Sequence, residues 1–93
     1  MKIKLTIEFN YDLDEIVHFI AKDKPLAARK FKIELVKKLK KDLQSPFLFK
    51  KSIYFDDKNI RDYTFKGYTV VCKVDVKNEI VTTVAVLKYK DSL

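Results

Sequence analysis

Residues 1–9 alternate in character, with Ile3, Leu5, Ile7 and Phe9 set between Lys2, Lys4, Thr6 and Glu8. This period of two predicts a half-buried first strand. The period then lengthens, as Leu13, Ile16, Val17 and Ile20 recur at i, i+3, i+4 and i+7. An amphipathic helix is expected there, capped by Asn10 or Asp12 and running to about Lys22. Asp23 followed by Pro25 suits a cap and an early helical position, so a second helix should start at once and continue to about Gln44. Its apolar face carries Ala28, Phe31, Leu35, Val36, Leu39 and Leu43, and Ser45-Pro46 ends it. The short link makes the two helices an antiparallel hairpin.

The strongest β pattern lies further on. Ile60 to Phe65 and Tyr68 to Val74 are rich in β-branched and aromatic residues and flank Lys66-Gly67, the place of the sole glycine. A two-residue turn there pairs Phe65 with Tyr68, Tyr63 with Val70 and Arg61 with Cys72. Phe65, Tyr63, Tyr68, Val70, Cys72 and Val74 then form the core face. Ile60, Asp62, Thr64, Thr69, Val71 and Lys73 form the other, and a slip of one residue would exchange the two. Phe47 to Lys51 reads as a basic, aromatic loop, Ile53 to Phe55 as a brief apolar run, and Ile80 to Leu87 as a last strand. The expected fold class is α+β in a single domain, 1–93: an N-terminal strand and an antiparallel helical hairpin packed on a small antiparallel β-sheet.

Composition narrows the setting. With 47% hydrophobic residues, one glycine and two prolines among 93 residues, the chain has the material for one ordered core and none of the bias of a disordered segment. The lone Cys72 cannot form an internal disulfide and is read as a small buried hydrophobe. No apolar run is long enough for a signal peptide or a membrane span, so a cytoplasmic protein without a membrane partner is expected. His18 falls opposite the apolar stripe with no second His or Cys nearby, which makes it a surface histidine; neither metal nor cofactor is expected.

The net charge of +7 suits an anionic partner, whether nucleic acid, ribosome or acidic protein. Much of it sits on one face of the second helix, where Arg29, Lys30, Lys37, Lys40 and Lys41 surround Leu26 and Ile33. A solvated helix face has this composition; so does a docking strip for an acidic amphipathic segment. Leu26, Lys30, Ile33 and Lys37 are the candidates for that second role. Among the tyrosines, Tyr63 and Tyr68 belong to the core face, while Tyr54 and Tyr89 are the candidates for stacking on bases.

Taken in order, Ala27-Ala28-Arg29-Lys30-Phe31 with Leu35 and Leu39, then Ile60-Arg61-Asp62, then Gly67-Tyr68 followed by Val70-Val71, resemble the RelE/ParE superfamily of bacterial toxins over nearly the whole chain. The resemblance implies the toxic half of a toxin–antitoxin module, held inactive by a cognate antitoxin. RelE-like members cut messenger RNA in the ribosomal A site, whereas ParE-like members lack the cutting residues and are associated with inhibition of DNA gyrase.

Cleavage by a 2′-hydroxyl needs cations around the scissile phosphate. Where RelE-like members place two lysines and an arginine, this chain has Ile60, Asp62 and Thr69; at the end stands Tyr89 between Lys88 and Lys90. A carboxylate at position 62 repels a phosphate by about 1 kcal/mol or more. No catalytic residue is therefore assigned. Arg61 matches the arginine of ParE-like proteins, where packing its stem beneath the helices and contacting a target are both open readings. The candidates for target binding are Arg61, Lys73, Lys88, Tyr89 and Lys90. A noncatalytic, ParE-like toxin is the leading expectation. The alternatives are a ribosome-dependent endoribonuclease using the basic tail, and a relative that has lost toxicity and only binds or regulates.

Overall fold

Thr6 decides where the first strand stops. Its hydroxyl accepts the Phe9 N–H at 3.0 Å and donates to the carbonyl of Thr83 at 2.7 Å, so one side chain both caps a helix and ties it to the sheet. In the computed structural model, which describes residues 1–88, β1 is accordingly Lys2–Leu5 and α1 is Ile7–Ala21. The strand predicted to Phe9 is shorter, and the cap expected at Asn10 or Asp12 lies upstream. Phe9 shares the helical period of Leu13, Ile16, Val17 and Ile20 and is fully buried with Leu13, whereas Ile7 is 83% exposed. Burial of an aromatic ring outweighs a local alternation that happened to continue for two more pairs.

The chain reverses at once into α2, Pro25–Asp42. Lys24 occupies the cap position without a side-chain bond, and Pro25 opens the helix; Asp23, the expected cap, instead lends its backbone N–H to the Ile20 carbonyl at 3.2 Å. Leu43 follows α2 as a fully buried cap residue, and Gln44 folds back to donate to the Lys40 carbonyl at 3.2 Å. A short 3-10 turn, Pro46–Leu48, leads to β2, Lys50–Lys51, then β3, Ile60–Phe65, β4, Tyr68–Asp75, and β5, Ile80–Lys88.

The sheet has five strands in the order β1-β5-β4-β3-β2. Its pairs are antiparallel except for β1, which runs parallel to β5 from Lys2 opposite Ile80 to Leu5 opposite Thr83. The sheet is thus mixed and gains β2 at its edge, two departures from the antiparallel sheet expected. Alternation carries no information about strand direction, which the returning helices set. The predicted hairpin register is the observed one: Phe65 opposes Tyr68, Tyr63 opposes Val70, and Arg61 opposes Cys72. Lys66 and Gly67 both have positive φ, 47° and 84°, the geometry of a two-residue turn matched to strand twist.

The helices cover one face of this sheet. Tyr63, Phe65, Val70, Cys72 and Val74 pack there with Phe31, Leu35, Leu39 and Leu43, and Phe31 meets the rings of Phe65 and Tyr68 at 5.6 and 5.5 Å. On β5 the core residues are Val81, Thr83 and then Val86, an odd step made possible by a register shift opposite Val71 and Cys72.

Candidate functional site

The segment between β2 and β3 helps to wall a cleft beside β3 and β4. Lys50 lies opposite Asp62 and Lys51 opposite Arg61, so the two neighbours Arg61 and Asp62 send their side chains to opposite faces of the sheet. Arg61 turns into its own chain. Its guanidinium sits 4.8 Å from the Phe47 ring centre, its Nε donates to the Lys58 carbonyl at 2.9 Å and its Nη1 to the Phe49 carbonyl at 3.1 Å. These contacts pin both ends of the excursion 47–58 to β3.

Asp62 does the converse on the other face. One carboxylate oxygen accepts the Ile53 N–H at 3.1 Å; the other, Oδ1, is buried and has no hydrogen-bond partner. The residue lines a cleft of ≈ 560 Å³ together with Leu48, Lys50, Ile53, Tyr54, Thr64 and Thr69, among others. Leu48 and Ile53, at 83% and 77% exposure, stand out as its apolar rim. Asp62 is legible in the sequence but the cleft is not, because the rim comes from a loop held by Arg61.

The four candidates on α2 are brought together. Leu26, Lys30, Ile33 and Lys37 are all exposed at spacings of four, three and four, one continuous strip of the helix. A second apolar surface lies on α1, where Ile7, Tyr11 and Phe19 are exposed and Tyr11, Glu15, Phe19, Val86 and Lys88 border a cleft of ≈ 390 Å³. The spacing of Tyr11 and Phe19, two helical turns apart and off the core stripe, was the available signal. Where β5 runs past the end of β1, Asp12 accepts the Val86 N–H at 3.1 Å and so occupies the place of a strand partner.

The target-binding candidates are dispersed. Arg61 holds its loop, Lys73 lies exposed beside Asn59, Asp75 and Thr82, and Lys88 stands at the far end of β5 next to α1. Tyr89 and Lys90 lie outside the described residues. Cys72 is fully buried, and burial first, then the charge of Asp62, pushes its thiol up to about 12. Tyr63 is raised above the ordinary phenol range by burial first and then by its bond to Asp42. Among the described residues no three His, Cys, Asp or Glu side chains are grouped to hold a metal ion, and no helix is long and apolar enough to cross a membrane.

The family model described as the ParE toxin of the type II toxin-antitoxin system, parDE, matches residues 3–93. The chain belongs to the ParE toxin family. Its fold is similar to that of a chain from the chromosomal ParDE TA system from P. aeruginosa, with a TM-score of 0.73 at 19% identity over 97% of each chain. None of the curated proteins matches in sequence. In this ParE-family chain the α2 strip lies on the helical layer and Asp62 on the opposite face of the sheet.

Proposed function

We propose that this ParE-family chain arrests bacterial growth through a noncatalytic contact with a cellular protein in the cytoplasm, DNA gyrase being the target that the family resemblance implies. A cognate antitoxin neutralises it by laying an acidic amphipathic segment along Leu26, Lys30, Ile33 and Lys37. Lys73 and Lys88 are exposed cations available to the target, with Tyr89 and Lys90 next in sequence, while Arg61 holds the loop that shapes the surface.

The observation that carries the noncatalytic reading is Asp62. A pocket that cleaves RNA must gather positive charge around a phosphate, and this one has the carboxylate of Asp62 in its lining. The exposed apolar residues set within the basic strip of α2 support antitoxin docking, since apolar anchors supply affinity and the surrounding charge supplies orientation.

Controlled expression of the chain alone in a bacterial host tests the reading, with messenger RNA cuts mapped by primer extension and supercoiling read from a reporter plasmid. Growth arrest with altered supercoiling and intact messages is expected. Codon-positioned cuts would replace the proposal with ribosome-dependent cleavage, and unimpaired growth would leave a binding protein on a toxin fold.

A further inference from the structure

We propose that the cleft lined by Asp62 is a receptor for one cationic side chain, an arginine carried on an apolar stretch of a protein partner. The inference stands whether or not gyrase is that partner, because it concerns the chemistry the cleft accepts.

Three observations meet in it. The first is the state of the carboxylate: Oδ2 is fixed by the Ile53 N–H at 3.1 Å, and Oδ1 is buried with no donor. A buried carboxylate oxygen without a donor is costly, and the groups that satisfy it best are charged N–H donors. The protein's own cations do not supply one among the described residues. Lys50 is the cross-strand neighbour of Asp62 yet forms no ion pair with it, and Lys51 turns to Asp56 at 3.8 Å.

The second observation is the rim. Leu48, Ile53 and Tyr54 are exposed around the mouth, the complement of a side chain whose stem is apolar and whose tip is charged. Exposed apolar residues clustered about a single fixed acceptor mark an interaction surface rather than ordinary solvated loop.

The third is the contrast in sign. The chain carries a net charge of +7, and α2 presents a basic strip, yet this cleft is lined by one carboxylate, Asp62, against one lysine, Lys50. The partner that suits α2 is acidic; the one that suits the cleft is locally basic. A nucleic acid is disfavoured, since its phosphates would meet Asp62 in the lining.

The test uses the full chain, made by cell-free synthesis with nitrogen-15 labelling and titrated with a capped Leu-Arg-Leu peptide. Saturable shifts are expected at the backbone amides of Ile53, Asp62 and Thr64. The same peptide with citrulline in place of arginine should bind at least about tenfold more weakly, since it keeps the shape and loses the charge. Asp62→Asn, which retains an oxygen for the Ile53 N–H, should abolish the difference between the two peptides. Equal binding of the citrulline peptide, an unchanged preference in Asp62→Asn, shifts scattered over surface carboxylates such as Glu8 and Asp14, or no saturable shift in the millimolar range would each overturn the proposal. So would a short uridine oligonucleotide that moved the same amides. Should Asp62→Asn fail to fold, the arginine–citrulline contrast on the native chain decides alone.

Discussion

The Tyr63 hydroxyl donates to Asp42 Oδ2 at 2.7 Å, joining the middle of β3 to the last residue of α2 across 21 positions of sequence. A hydrogen bond to an ionised acceptor beneath a packed ring holds the helix end against the sheet. Tyr63→Phe keeps the ring and its edge contact with Phe49 at 5.1 Å while removing that bond. The expected loss is about 1–3 kcal/mol. In urea the midpoint should fall with an unchanged slope; an unchanged midpoint would mean that water serves Asp42 equally well.

Alkaline pH should weaken the fold through two groups. Tyr63 and Cys72 both have folded-state values raised by burial first, with Asp42 and Asp62 adding to the effect, and the thiol reaches about 12. Raised values mean that the fold favours the protonated forms. Their contribution is fully present below the unfolded values, about 8.5 for a thiol and about 10 for a phenol, and is lost as pH rises beyond them. For Cys72 the loss is complete near its folded value of about 12. Urea unfolding repeated at successive pH values should show stability falling from the thiol's unfolded value upward. In Cys72→Ala the onset should move up to the phenol's value; an identical profile would exclude the thiol as a contributor.

Arg61 serves the scaffold, so its replacement should loosen a loop before it touches function. Arg61→Ala removes the contact with Phe47 and the bonds to the Lys58 and Phe49 carbonyls, an expected loss of about 1–3 kcal/mol. Lysine should not restore it, since a single ammonium cannot reproduce a planar fork reaching two carbonyls. Hydrogen exchange at Ser52, whose N–H is bonded to the Ile60 carbonyl at 2.8 Å, should accelerate in both variants. If growth arrest were lost while that protection stayed intact, Arg61 would instead be a target contact.

Leu26 and Ile33 are 82% and 60% exposed, so aspartate at either position should leave the melting temperature nearly unchanged. Placed among basic residues, the new charge and the lost apolar surface should cut affinity for the cognate antitoxin about tenfold or more. Lys30→Glu and Lys37→Glu should slow association more than they speed dissociation. Unaltered affinity in a folded Leu26→Asp/Ile33→Asp variant would move the antitoxin elsewhere, with the exposed Tyr11 and Phe19 of α1 the next surface to test.

What the sequence determined by itself was local or periodic. Lys66-Gly67 set the hairpin register because a two-residue turn with positive φ leaves little choice of pairing. The spacing of Phe31, Leu35 and Leu39 set the buried face of α2, and with it the exposure of Leu26, Lys30, Ile33 and Lys37. The negative charge at position 62 was likewise plain. Tertiary structure decided the rest, because each outcome depends on residues far apart in the chain. Phe9 left the strand for the helix because a distant core could bury it, and Thr6 took the cap because Thr83 was there to receive its hydroxyl. β1 took its direction from the helices that precede β5, and Val86 reached the core through a register shift that alternation gives no sign of. Arg61 found Phe47, Phe49 and Lys58 rather than the helices, and in folding that loop over β3 it helped to shape the cleft lined by Asp62, one oxygen of which is left without a donor. Periodicity reports which face of an element is apolar; which partner covers that face, and which polar atom is left over, are set by long-range packing.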